Sequence, residues 1–169
     1  MTWTLTEGVV DSLRDYLRAN FDTKCAALNV EYDDGIELDP IFDKGDEAGA
    51  TWHVGEKTLE SLQQFPVGFV LGGPVSIGFW NDTQVDAGHE ITVAVIVSDQ
   101  DYEVLRRKLY RTQRAIWECL VDAHFNASLG AFKMLGSPVL DVTPVLTRGS
   151  IGLGEASVKV RAVNQETRV

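Results

Sequence analysis

Residues 89–124 read HEITVAVIVSDQDYEVLRRKLYRTQRAIWECLVDAH, and this stretch decides the fold. Its first part alternates. Ile91, Val93, Val95 and Val97 point one way, and Thr92, Ala94 and Ile96 the other. A period of two with β-branched residues predicts a strand. Both of its faces are apolar, so the strand is expected to lie centrally in a sheet. At SDQD the period changes. Ser98 or Asp99 can cap a helix, and Asp101 suits the positive end of its dipole. From there Leu105, Leu109, Thr112, Ile116, Cys119, Leu120 and Ala123 fall on one stripe at helical spacing. Arg107, Arg111 and Arg114 fall on the opposite, outward face. A buried strand therefore feeds a long amphipathic helix that packs back on the sheet.

Outward from this unit, residues 5–28 predict a first helix. Thr4 or Thr6 caps it, and Val9, Val10, Leu13, Tyr16, Leu17 and Phe21 line its apolar stripe. Asn29 is the expected end. Residues 29–57 read as one or two short strands and a long acidic loop, and Lys57–Gln64 as a helical turn. PVGFVLGG and PVSIGFWND predict two strands parted at Gly72-Gly73-Pro74, and Asn81–Gly88 predicts a polar turn. VLDVTPVL (139–146) and EASVKVRAV (155–163) predict two more, joined by the glycine-rich TRGSIGLG. Pro144 implies an open edge or a break. The tail NQETRV carries no ordering signal. The order gives an α+β domain spanning residues 1–169: a mainly antiparallel sheet with two long helices on one face, and long acidic and glycine-rich loops. The expected core holds Val93, Val95, Val97, Leu105, Leu109, Ile116 and Leu120, with Val9, Leu13 and Leu17 nearby.

At 169 residues the chain can bury one sizeable core. No run of about 18 apolar residues is present, so no membrane span is expected. The start, MTWTLTEGVVDSL, has no signal-like pattern. Two cysteines, Cys25 and Cys119, are too few for a disulfide framework and read as reduced, helix-packed thiols. The net charge is −10 and uneven. Between Val30 and Ala50 stand eight acids and one lysine, whereas five of the fifteen basic residues lie between Arg106 and Arg114. Opposite patches on a small protein fit self-association better than general DNA binding.

Chemical motifs are sparse. Gly72-Gly73-Pro74 matches no phosphate loop. Asp99 and Asp101 form a D-x-D pair at a strand end, a pattern that can hold a divalent cation in nucleotide-sugar enzymes, but helix capping explains the same residues. The acids around Asp33-Asp34-Gly35 and Asp43-Lys44-Gly45-Asp46-Glu47 lack the spacing of a calcium loop. His53, His89 and His124 are scattered. The reading therefore expects no catalytic residue, cofactor or metal.

The layout resembles the tail terminator (tail completion) proteins of long-tailed bacteriophages. The resemblance rests on four features: the helix LTEGVVDSLRDYLRANF, the irregular stretch before PVGFVLGG and PVSIGFW, the strand-to-helix unit, and the closing strands ending in SVKVRAV. It implies a structural protein of the virion, made in the host cytoplasm and without enzymatic activity. It also implies a homohexameric ring that caps the tail tube and joins it to the head connector, with DNA passing through the bore. The implied partners are further copies of the chain, the tail tube protein and the head–tail connector protein. Three alternatives remain: a head-completion or neck protein, a metal-dependent nucleotide-sugar enzyme using Asp99 and Asp101, and a cellular protein-binding module. For ring assembly, the expected interface sets Arg107, Arg111 and Arg114 against Asp33, Asp34, Asp43, Asp46 and Glu47 of a neighbour. Ring subunits need two different patches that fit each other.

Overall fold

A computed structural model describes residues 6–41, 51–55, 62, 64–81, 84–125 and 133–167. The elements are α1 (Thr6–Tyr32), β1 (Trp52–Val54), β2 (Val67–Asn81), β3 (Gln84–Asp99), α2 (Tyr102–Phe125), β4 (Lys133–Arg148) and β5 (Ile151–Thr167). The five strands form one sheet in the order β1-β2-β3-β5-β4. Only β1 against β2 is parallel. The alternating stretch at Ile91–Val97 is thus the centre of the sheet, as its two apolar faces imply.

Both helices cover one face. In register, Val70, Val93 and Val158 stand side by side. This row and its neighbours bury against Leu13, Leu17, Phe21 and Leu28 of α1 and Leu105, Leu109, Ile116 and Leu120 of α2. Every expected core residue is buried except Val9, which packs against the core's margin. The opposite face carries a smaller cluster of Leu62, Val67, Phe69 and Ala94. The tightest approach is between β1 and β2. A side chain at Gly68 would sit 2.4 Å from the Trp52 ring, so glycine there lets Trp52 lie flat and meet Phe21 edge-on at 5.2 Å.

Several expected boundaries move. α1 does not stop at Asn29 but runs on to Tyr32, taking in Val30 and Tyr32. Asn29 is occupied otherwise: its side chain donates to the Leu38 carbonyl (3.1 Å) and accepts from the Leu38 N–H (2.7 Å). Reversal comes at Asp33 (φ 40°) and Gly35 (φ 79°), conformations that Asp tolerates and Gly favours. Ile36–Ile41 forms neither helix nor turn and pairs with no described strand. Gly72-Gly73-Pro74 is not a turn; it is a register shift within one long strand. Likewise TRGSIGLG is mostly strand, with the hairpin confined to Gly149 and Ser150. The tail is ordered by pairing as far as Thr167, opposite Gln84. The stretch Asn81–Gly88 is mostly strand as well. The turn expected over Lys57–Gln64 and the N-terminal residue Thr4 lie almost wholly outside the described residues.

At the head of α2 the capping residue is Asp101. Its carboxylate accepts from the N–H groups of Glu103 (2.8 Å) and Val104 (3.1 Å). Asp101→Ala is expected to lower stability by about 1 kcal/mol, whereas Asp101→Asn keeps the acceptor and should be nearly neutral. Chemical denaturation of the two variants side by side checks this; equal losses would contradict the cap.

Candidate protein interface

The charged residues singled out in the sequence meet, but within one chain. After Tyr32 the backbone turns back through Asp33–Gly35 and runs between the helices as far as Ile41. Leu38 and Ile41 are buried in that groove. Because this segment lacks strand pairing, side chains satisfy its backbone: Asn29 holds Leu38, and the Asp22 carboxylate accepts from the Ile41 N–H at 2.8 Å.

The α2 cations then clamp its acids. Arg111 donates to both carboxylate oxygens of Asp34 and to the Ile36 carbonyl. Its guanidinium lies 4.1 Å from the centre of the Tyr32 ring. Arg107 approaches Asp34 at 3.8 Å and Glu103 at 2.9 Å. Arg114 grips both oxygens of Glu31 at 2.8 and 2.9 Å and also pairs with Glu118. Lys108 bridges Asp39 and Asp99, each at 3.1 Å.

These contacts correct one expectation. Arg111 does not face outward: it is 6% exposed. The acids that meet Arg111 and Arg114 come from the same subunit: the end of α1 carries Glu31 and the turn after it Asp34. Asp33 remains exposed on the turn. Asp43, Asp46 and Glu47 lie outside the described residues.

Electrostatics follow the geometry. The Arg111 guanidinium, aided by the Ile36 N–H, holds the Asp34 carboxyl down at about 2. Burial opposes the charge on Lys108, but the hydrogen bonds to Asp39 and Asp99 outweigh it and raise its pKa. Burial likewise opposes the charge on Asp99, and the Asp101 N–H and Lys108 overcome it, so that its pKa falls. The Lys108 ammonium sits where a cation on Asp99 would bind, which fits structural pairing rather than metal binding. Burial pushes the thiols of Cys25 and Cys119 up, Cys119 to about 12, so neither is poised as a nucleophile.

Asp22 behaves differently. Burial raises its pKa, offset only in part by the Ile41 N–H. The folded state therefore holds this proton more tightly than the unfolded chain, whose group titrates near 3.8. Stability from Asp22 is greatest below that value and is lost as pH rises through the raised one. Asp22→Asn keeps the acceptor for Ile41 without the charge. It should raise the melting temperature modestly at pH 7 and lose its advantage below the unfolded-state pKa. A lower melting temperature at pH 7 would contradict this.

One group was not singled out in the sequence. Tyr102, Arg106 and Tyr110 recur every four residues on the flank of α2 away from α1. Tyr102 is 66% and Tyr110 51% exposed. With Glu103 and Arg107 they line an open groove of about 500 Å³. The same flank faces β4: Gln113 donates to the Asp141 carbonyl (2.9 Å), and the Met134 N–H donates to His124 (3.0 Å). The i, i+4, i+8 spacing was the available signal, masked by the four neighbouring cations.

No protein-family model matches the chain, and no curated protein sequence does. Among solved structures it is similar to a chain from "Virion of native gene transfer agent (GTA) particle". The two are 13% identical, the match covers 88% of this chain and 95% of that one, and the TM-score is 0.35. Likeness at that level carries no inference about function.

Proposed function

We propose that this chain is a virion structural protein of the tail terminator kind, whose copies join into a ring that caps a phage tail tube and links it to the head connector. The observation that carries the reading is a sheet with an open edge on each side. On one side β1 covers only Gly68–Val70 of β2, so that Leu71–Asn81 has no described strand on its outer side. On the other side β4 pairs with β5 alone among the described strands. Long open edges are templates for pairing with another chain. Two different edges on opposite sides suit a heterologous, head-to-tail contact, and such contacts close into rings.

The β4 edge has the composition of a joining surface. Between Pro138 and Pro144, Val139 and Leu140 are exposed. The Val142 N–H donates to the neighbouring Asp141 carboxylate (2.8 Å). The two prolines limit free pairing to the span between them, which favours one specific neighbour over open-ended aggregation. A net charge of −10 fits a bore that DNA crosses without being held. The layout resemblance points the same way. No helix of the described residues is long and apolar enough to cross a membrane.

Light scattering after size exclusion tests the ring. The expected mass is six subunits, and replacing Val139 and Leu140 together by Lys should release folded single subunits. A wild-type protein that stays monomeric at high micromolar concentration would overturn the reading. A head-completion or neck protein shares the ring. Particles made without this chain separate the two: loss of a terminator leaves tails of uncontrolled length, whereas loss of a neck protein leaves finished tails beside unjoined heads.

A further inference from the structure

We infer that the Tyr102–Arg106–Tyr110 flank of α2 docks the acidic turn Asp33–Glu37 of a second copy of this chain. The inference rests on the ring reading and names the side chains that would hold one subunit to the next. Five cations lie on α2, and four of them are engaged by acids of their own chain: Arg107 by Glu103 and Asp34, Lys108 by Asp39 and Asp99, Arg111 by Asp34, Arg114 by Glu31 and Glu118. Among the described residues Arg106 pairs with no acid and meets Tyr110, the hydroxyl at 3.5 Å and the ring at 5.8 Å. An exposed cation between two exposed tyrosines on a rigid helix has the make-up of an interface anchor. Tyrosine and arginine carry a large share of binding energy at such surfaces.

The occupant follows from charge and from place. Once Glu31, Asp34 and Asp39 are paired with α2, the acids left exposed on the same short segment are Asp33 and Glu37. Neither forms an ion pair with the Arg106 of its own subunit. Arg107 and Arg111 hold that turn on the α1 side of the helix, whereas Arg106 lies on the β4 side. The groove and the turn are thus different surfaces on the two flanks of α2, adjoining at Arg107, and a heterologous contact needs two different surfaces. The flank also adjoins the open β4 edge, so the two form one continuous surface. Charge pairing at its rim would set register and encounter rate.

Charge reversal in the full chain tests the assignment. Arg106→Glu, like Glu37→Lys, should weaken assembly about tenfold or more and leave the melting temperature of the subunit unchanged. The two reversals in one chain restore opposite charges and should recover assembly. A photo-crosslinking residue in place of Tyr110 should then join two copies, with the adduct mapped by mass spectrometry to the peptide containing Asp33–Glu37. Wild-type rings with an unaffected Arg106→Glu variant, or an adduct elsewhere on the chain, would overturn this contact while leaving the ring standing. A wild-type monomer would remove both.

Discussion

Leu109→Ala is expected to cost about 2–5 kcal/mol, a drop in melting temperature of roughly 5–15 °C for a domain of this size. Leu109 is 1% exposed and packs onto a strand that makes room for it. A Cβ built at Gly154 of β5 would stand 2.6 Å from Leu109 Cδ1. The leucine and the glycine are therefore one fitted pair, and truncation leaves a void that neither the central strands nor α2 can close. Gly154→Ala alone should destabilise by crowding the leucine. In the Leu109→Ala background the same methyl group enters the void, so the double variant should be more stable than the sum of the two losses. Thermal and denaturant unfolding of the four proteins checks this. An unchanged midpoint for Leu109→Ala would exclude the packing described here.

That pair also marks how far the sequence can be read. Stripe positions on α2 and alternation in β3 announce themselves because each has a strong period, and every core residue inferred from them is buried or packs at the margin. Periodicity says nothing about partners across space. It exposes neither Gly154 beneath Leu109 nor Gly68 beneath Trp52, and so the glycines of GLGE and PVGF read only as turn or weak-strand residues. The same limit explains the strand ends. Gly72-Gly73-Pro74 has turn composition, yet the long β3 beside it supplies enough pairing to carry β2 through as one strand with a shifted register. Asn164–Thr167 is polar and carries no strand signal, but Gln84–Ala87 lies alongside and pairs with it. Among the charges, composition set acids between Asp33 and Glu47 against the α2 cations of a neighbouring subunit, whereas Asp34 meets Arg111 within one chain. Composition could not decide between the two, because the answer depends on Asp33 and Gly35 reversing the chain. The Tyr102–Arg106–Tyr110 flank was legible as spacing, yet became distinct only once the other four cations had been assigned their acids.

Arg111→Ala is the second large effect expected, on the order of 2 kcal/mol. The loss belongs to the buried arginine itself: a guanidinium stacked on Tyr32, its bond to the Ile36 carbonyl, and the stem packed between the helices. Asp34 keeps access to water, so the variant should fall short of the penalty for a fully buried pair. Arg111→Lys should lie between, since an ammonium cannot grip both carboxylate oxygens and the carbonyl together. Acid adds an independent signature. Asp34 titrates at about 2 in the folded chain and near 3.8 when unpaired. The stability it contributes is full above the higher value and is lost as pH falls toward the lower one. Wild type should therefore lose stability through that window, and Arg111→Ala should lose less, because its Asp34 keeps only the Ile36 N–H and the more distant Arg107 to depress it. Reversing Arg107, Arg111 and Arg114 to Glu together would consequently not spare the subunit. It would place carboxylates against Glu31 and Asp34 and free the segment as far as Ile41, so the variant should unfold rather than merely fail to assemble. Circular dichroism of the triple variant, with Arg106→Glu as the folded comparison, separates a clasp within the subunit from a contact between subunits. A well-folded triple variant would mean that the clasp contributes little.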